Sequence, residues 1–223
     1  VSRRITERKM KRNIFCFAFV LTDDILSAMI IFAQIGGSTL TKDSIFSQKA
    51  FIFDFDGTLV DSMGFWFSEQ VRACCGPAEY FAYMKTKYDN EICFKADAGA
   101  FLNEVRRRGI PFCIASHTPL SCSYGCYTRL GISGGCSFYI SPEDIGSDKH
   151  DPRIYLFCAE RLGFSPGECA VFEDHPKFAG VAKRAGFFVV GIREKHYADG
   201  EEELSHNADI LIESYGELYT CPD

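Results

Sequence analysis

The chain has no C-x-x-C pair among its 11 cysteines. Cys122 and Cys126 stand one helical turn apart with no histidine and no second pair beside them, so the pattern offers no zinc site. The other thiols are scattered, and several fall inside apolar runs, Cys113 in PFCIAS and Cys169 in ECAVFE. Reduced, buried thiols are distributed in this way, which points to a reducing, cytoplasmic compartment. Positive charge is scarce as well. The net charge of −6 is made of +4 over residues 1–49 and −10 over residues 50–223, which excludes a nucleic-acid footprint on the body of the chain. Also missing is an unbroken apolar stretch of membrane-spanning length. RKMKRNIFCFAFVL has the basic start and apolar run of a leader, but Asp23 and Asp24 separate it from ILSAMIIFAQIGG. At the centre of a span two aspartates would cost about 2.5 to 3.5 kcal/mol each, so no membrane partner is expected. Residues 1–49 read as an atypical N-terminal extension, helical or outside the working domain, and Met10 offers an internal start.

What is present is apolar material for a real core, 47% of 223 residues. From residue 50 onward short apolar runs alternate with amphipathic stretches. The runs predict strands at 51–55, 111–115, 137–141, 169–173, 187–192 and 209–212. The amphipathic stretches predict helices at 97–109, 120–131, 152–163 and 176–186. Gly109, Gly163 and Gly186 supply helix stops, and Pro152 and Pro176 suit a first helical turn. Alternation of this kind, with nearly continuous apolar strands, predicts an α/β fold whose parallel sheet is covered by helices on both faces. Ligands of such sheets bind at the carboxyl ends of the strands. The residues placed there are Asp54 to Thr58, then Ser116, His117 and Thr118, then Lys149, then Glu173, Asp174 and His175.

One of these residues is out of place for a turn. In FIFDFDGTLVDS, Asp54 sits inside the apolar run rather than after it, so its charge needs a compensating partner. Two carboxylates at i and i+2 ahead of Gly57 suit a hard divalent cation that keeps room for phosphate oxygens. Taken singly, the other rim residues have plainer readings. Ser116 could be a strand-end hydroxyl, Lys149 a solvated loop charge, and Glu173 with Asp174 the N-cap region of the next helix.

Taken together and in order, DFDGT, the apolar strand ending in Ser116, Lys149 in DKHDPRIY, and VFEDHPKFAGVAKRAG resemble the four motifs of the haloacid dehalogenase-like (HAD) superfamily, in its phosphatase and β-phosphoglucomutase-like branch. The resemblance runs from about Lys49 to about Glu217. It implies a Rossmann-like core over 50–61 and 97–223, with a small helical cap over 62–96 inserted after the first strand. It further implies Asp54 as the nucleophile that forms an aspartyl-phosphate and Asp56 as general acid and base. Ser116, Lys149 and, beside them, His117 become the phosphate-binding residues, although a partly exposed surface role is the plainer reading of His117 and of His175. Mg²⁺ is the implied cofactor, held by Asp54, the backbone carbonyl of Asp56, and Asp174, with Glu173 either sharing the metal through water or orienting Lys149.

There are departures from the family pattern. His150 stands where the third motif usually has proline, which predicts a looser loop under Lys149. The insert holds no histidine, and Trp66 occupies the place where the mutase branch carries one; Phe65, Trp66 and Phe67 are expected to pack the cap or wall its entrance. The function implied is hydrolysis of a small phosphorylated metabolite, such as a sugar phosphate or a phosphoglycolate-like acid, by a Mg²⁺-dependent phosphomonoester hydrolase, with a monomer favoured. A phosphomutase and a catalytically impaired interaction domain are the alternatives. Dehalogenation is disfavoured by Asp56.

Overall fold

A computed structural model describes residues 42–74 and 76–219. Six strands form one sheet: β1 (Ala50–Phe53), β2 (Phe112–Ala115), β3 (Cys136–Ile140), β4 (Cys169–Glu173), β5 (Phe188–Ile192) and β6 (Ile210–Ile212). Their order is β3-β2-β1-β4-β5-β6 and every pairing is parallel. The chain therefore runs outward from β1 to β3, then returns to lay β4 on the other flank of β1. That reversal puts the topological switch point beside β1, where an open α/β sheet forms its ligand crevice. Phe51 is in register with Phe112 on one side and with Ala170 on the other.

Both faces of the sheet are covered, which is why the strands read as continuous apolar runs. On one face Phe51, Phe53 and Phe172 meet Phe101 of α4 (Ala98–Arg107); Phe53 and Phe172 stack at 4.3 Å and Phe51 lies 6.0 Å from Phe101. On the other, Ile52, Cys113 and Val171 pack with Ile154, Tyr155 and Cys158 of α6 (Arg153–Leu162) and with Ala179 and Ala182 of α7 (Pro176–Arg184). The predicted strands and helices all form, with ends shifted by up to two residues, where fraying and capping decide the boundary. A short helix α8 (Glu201–Asn207), not anticipated in the sequence, precedes β6.

Residues 62–96 contain α1 (Met63–Trp66), α2 (Glu69–Cys74) and α3 (Pro77–Asn90). α3 lies along α5 (Leu120–Arg129) and sends fully buried Met84 and Tyr88 into the core. Gly125 permits the approach, since a Cβ there would fall 2.8 Å from the Asp89 Cα. Arg129 reaches across and donates to the carbonyls of Tyr88 at 3.2 Å and Ile92 at 2.6 Å, satisfying backbone acceptors at the end of α3.

The sheet unit begins before residue 50. Ile45 is fully buried, Phe46 packs on Phe101 at 5.8 Å, and the Lys49 amide donates to the Glu168 carbonyl at 2.8 Å. The domain boundary expected at 49/50 therefore moves toward the N-terminus, because apolar side chains at 45 and 46 complete the end of one core layer. The rest of the predicted extension lies outside the described residues. No helix among the described residues is long and apolar enough to cross a membrane.

An acid-sensitive contact sits on α4. Hydrogen bonds from Arg107, and then from Arg108, pull the Glu104 carboxyl down to about 2 from its ordinary 4.5. A depressed carboxylate contributes stability that is complete above about pH 4.5 and is lost as pH falls through about 2. Glu104→Gln should accordingly flatten the fall in unfolding midpoint between pH 5 and pH 2. An unchanged slope in a denaturant titration series would count against this assignment.

Candidate active site

The expected rim assembles at the carboxyl ends of β1, β2 and β4. Asp54 follows β1, and its amide donates to the Phe172 carbonyl at 2.9 Å, so the ladder with β4 holds the residue before the chain turns. Glu173 ends β4 and Asp174 follows it; both are 1% exposed. Carboxylate oxygens of Asp54, Glu173 and Asp174 lie within 4.8 Å of one another.

Lys149 enters this group from the loop after β3, with its side chain 1% exposed. It donates to Asp54 Oδ1 and, at 3.0 Å, to Glu173 Oε2. Burial opposes its charge, but Asp54 and Glu173 outweigh burial and raise its pKa above the ordinary value. Tyr155 adds a hydrogen bond to the same Glu173 oxygen at 3.0 Å. Glu173 Oε2 thus meets both Lys149 and Tyr155, the kind of contact that one of its two expected roles requires. The plainer reading of Glu173 and Asp174 as a helix cap is only marginally realised. His175 occupies the N-cap of α7, and the one contact of that kind is its amide donating to Glu173 Oε1 at 3.2 Å.

Three buried carboxylates face one ammonium, and the imbalance shows in their acidities. Burial pushes Asp54 up to about 8 despite the opposing pull of Lys149, and burial followed by the charges of Asp54 and Glu173 pushes Asp174 well above the usual carboxylate range. Asp174 Oδ1 accepts from Thr58 Oγ1 at 2.9 Å, whereas Oδ2 is buried with no hydrogen-bond partner among the described residues. An orphaned oxygen beside two further carboxylates is the donor set of a hard divalent cation, and its charge would balance the excess of two. The residues present fit Mg²⁺.

Gly57 makes that arrangement possible. Its φ is +72°, and a Cβ there would fall 2.2 Å from Asp174 Oδ2 and 2.8 Å from Met63. Gly57→Ala should cost about 1 to 2 kcal/mol of stability from the backbone alone. It should also displace Asp174 enough to weaken Mg²⁺ binding at least about ten-fold, as read by calorimetry; wild-type affinity in the variant would remove Asp174 from the metal site.

Asp56 is arranged differently from the rest. Its side chain is not part of the carboxylate cluster; Oδ1 accepts from Ser62 at 2.6 Å, Trp66 Nε1 at 3.2 Å and the Tyr88 hydroxyl, and Oδ2 accepts from Thr118 at 2.6 Å. Trp66 Nε1 also lies 2.9 Å from the Tyr88 hydroxyl. Four donors thus hold the Asp56 side chain outside the carboxylate cluster, which leaves its backbone carbonyl as the part of this residue that the expected metal site would use. Trp66 lines the cavity, one of the two placements expected for it, and in addition donates to Asp56. Tyr88 gave no signal in the sequence, because only packing of α3 against α5 carries it to Asp56.

Ser116 is buried and its Oγ accepts from the Thr118 amide at 3.0 Å. His117 lies on the same rim but is half exposed, 3.9 Å from Asp148, with its ring 5.1 Å from Phe178. His175 stacks on Phe178 at 4.2 Å. Burial holds both imidazoles below their ordinary pKa. His150 does not leave the Lys149 loop unsupported: its amide donates to Asp148 Oδ1 at 2.7 Å. Proline has no N–H for that turn, so a side-chain-stabilised turn replaces a ring constraint. A cavity of about 440 Å³ opens over Asp54, Asp56, Ser116 and Lys149, walled by residues of the insert and of the core.

A buried carboxylate, a buried lysine and an acidic pair at the switch point of a parallel sheet agree with the family model for haloacid dehalogenase-like hydrolases, which matches residues 70–186. The chain belongs to this family. Among curated proteins, it is 29% identical over 117 residues to validoxylamine A 7'-phosphate phosphatase of Streptomyces hygroscopicus subsp. limoneus, covering 52% of this chain and 53% of that protein. It is 23% identical over 205 residues to hexitol phosphatase A of Escherichia coli, covering 76% and 93%. The chain thus spans about half the length of the first relative and nearly all of the second. Among solved structures, a HAD family hydrolase from Deinococcus radiodurans with bound phosphate and sodium superposes with a TM-score of 0.62 at 22% identity, covering 77% of this chain and 93% of that one. A β-phosphoglucomutase from Clostridium difficile gives 0.59 at 20% identity, covering 77% and 93%. At such identities the two structures speak to the fold alone.

Proposed function

We propose that this HAD-family member is a Mg²⁺-dependent hydrolase of small phosphomonoesters that works through an aspartyl-phosphate. The observation that carries the proposal is the Asp54–Lys149–Glu173 group at the switch point, with Asp56 two residues from Asp54 and facing the same cavity. Asp54 attacks phosphorus as the bond to the leaving oxygen breaks, and Asp56 delivers a proton to that oxygen. Asp56 then takes a proton from water, whose oxygen attacks phosphorus and breaks the bond to Asp54, releasing inorganic phosphate. Lys149 holds phosphoryl oxygens while Glu173, itself held by Tyr155, holds Lys149, and Ser116, with His117 beside it, supplies further polar contact. Asp54, Asp174 and the Asp56 carbonyl would hold Mg²⁺, which when bound offsets the charge of carboxylate and phosphate. Residues 62–96 act in this reading as a reduced cap that walls the site. The curated phosphatases support the reaction class, and the free cysteines among the described residues support a reducing, cytoplasmic setting.

The test is phosphate release from 4-nitrophenyl phosphate, expected with Mg²⁺ and abolished by a chelator; release that persists without metal would overturn the proposal. The likeness to β-phosphoglucomutases keeps a mutase reading in play. Offered a hexose 1-phosphate, the enzyme should give free sugar and phosphate, because Trp66 stands in the place of the mutase histidine; accumulation of the 6-phosphate under a bisphosphate activator would reverse that choice.

A further inference from the structure

We infer that the cavity selects phosphomonoesters whose leaving group is an uncharged aromatic ring, held by Phe67 and Phe81 of the insert with Phe178 on the core side. The inference deepens the hydrolase reading above and rests on it. Four large apolar side chains are notably exposed among the described residues, Phe67, Phe81, Tyr124 and Leu156, and two of them, Phe67 at 37% and Phe81 at 43%, line this one cavity. Exposed apolar surface gathered at a concave site marks a place where a ligand completes the burial.

Charge excludes the common alternatives. Lys149 is the sole lysine or arginine among the described residues lining the cavity, and it is already paired with Asp54 and Glu173. A second phosphate or a carboxylate on the leaving group would meet no lysine or arginine of the lining beyond Lys149, only the imidazoles of His117 and His175. This narrows the expected substrates away from phosphoglycolate-like acids and bisphosphates.

Hydrogen bonding weighs against a polyol. On the insert side the polar groups are committed: the Tyr80 hydroxyl donates to the Trp66 carbonyl at 2.5 Å and Trp66 Nε1 faces Tyr88 and Asp56, while next to them on the core rim Thr118 Oγ1 donates to Asp56. Hydroxyls placed against that wall would lose their water without replacement. A flat ring loses nothing there and gains edge or face contacts with Phe67 and Phe81. Some 440 Å³ suffices for a phosphoryl group and one or two fused rings.

Calorimetry in the presence of Mg²⁺ tests the inference with inert phosphonates, 2-naphthylmethylphosphonate against methylphosphonate and phosphonoacetate. The naphthyl compound should bind at least about ten-fold more tightly than methylphosphonate, and phosphonoacetate no more tightly than methylphosphonate. Phe81→Ala and Phe67→Ala should each reduce the naphthyl preference, whereas Tyr124→Ala, exposed but outside the cavity, should retain it. Equal binding of the naphthyl and methyl compounds, a preference untouched by both phenylalanine variants, or tighter phosphonoacetate binding overturns the inference. Phosphate release from 2-naphthylmethyl phosphate by the same protein is read separately. Its absence would count against the hydrolase reading while the phosphonate ratio still decides the ring preference.

Discussion

Asp54→Asn is expected to lower phosphate release by at least about a thousand-fold while leaving the fold intact. The carboxylate oxygen that would form the bond to phosphorus becomes an amide, and neither neighbouring carboxylate takes its place, since Glu173 is held by Lys149 and Asp174 is the proposed metal ligand. Removal of a covalent nucleophile typically costs three orders of magnitude or more. Stability should move the other way or not at all. Burial pushes the Asp54 carboxyl up to about 8, so a neutral isostere relieves a site that holds three carboxylates against one ammonium. Single-turnover assays and thermal melts on the same preparation check both halves. Residual turnover within ten-fold of wild type would remove Asp54 from the chemistry, and a melting point lowered by several degrees would show that its charge is structural.

Lys149→Met should have the largest effect on stability. Its ammonium is buried between Asp54 and Glu173, and removing one partner of a buried ion pair leaves uncompensated charge, which costs about 3 to 5 kcal/mol. Methionine fills much of the stem's volume, so the loss reports charge more than packing. Because Asp54 and Asp174 are the proposed ligands, Mg²⁺ should return part of the loss by binding only the folded form. Urea unfolding with and without Mg²⁺ separates the terms. A metal-free variant as stable as wild type would mean that the carboxylates are compensated from elsewhere, and a variant indifferent to Mg²⁺ would contradict the metal site.

The insert sets the limit of what could be read. Residues 62–96 showed helical content and no histidine, but nothing in their pattern said that α3 would lie along α5. That packing depends on Gly125, on Arg129 satisfying the end of α3, and on Met84 and Tyr88 finding space in the core. It is also what brings the Tyr88 hydroxyl to Asp56 across 32 positions of sequence. Trp66 was expected to pack or to wall the entrance; its hydrogen bond to Asp56 depends on the same docking. His150 shows the opposite kind of limit. The missing proline was visible, yet the turn that replaces it needs the Asp148 side chain to accept from the His150 amide, a detail of backbone geometry.

The sequence by itself determined the parallel sheet and its functional edge. Strands buried on both faces must be apolar throughout, so a carboxylate inside the first apolar run, a serine after β2 and an acidic pair at the end of β4 stand out against that background and share one edge by topology. Family motifs then attached roles to Asp54, Ser116, Lys149 and Asp174. Only the tertiary structure decided which oxygen each residue offers. Thr58 engages one oxygen of Asp174 and leaves the other unpartnered, Tyr155 and Lys149 share one oxygen of Glu173, and four donors hold Asp56 outside the carboxylate cluster. Those assignments rest on contacts between segments far apart in the chain, and residue spacing carries no record of them.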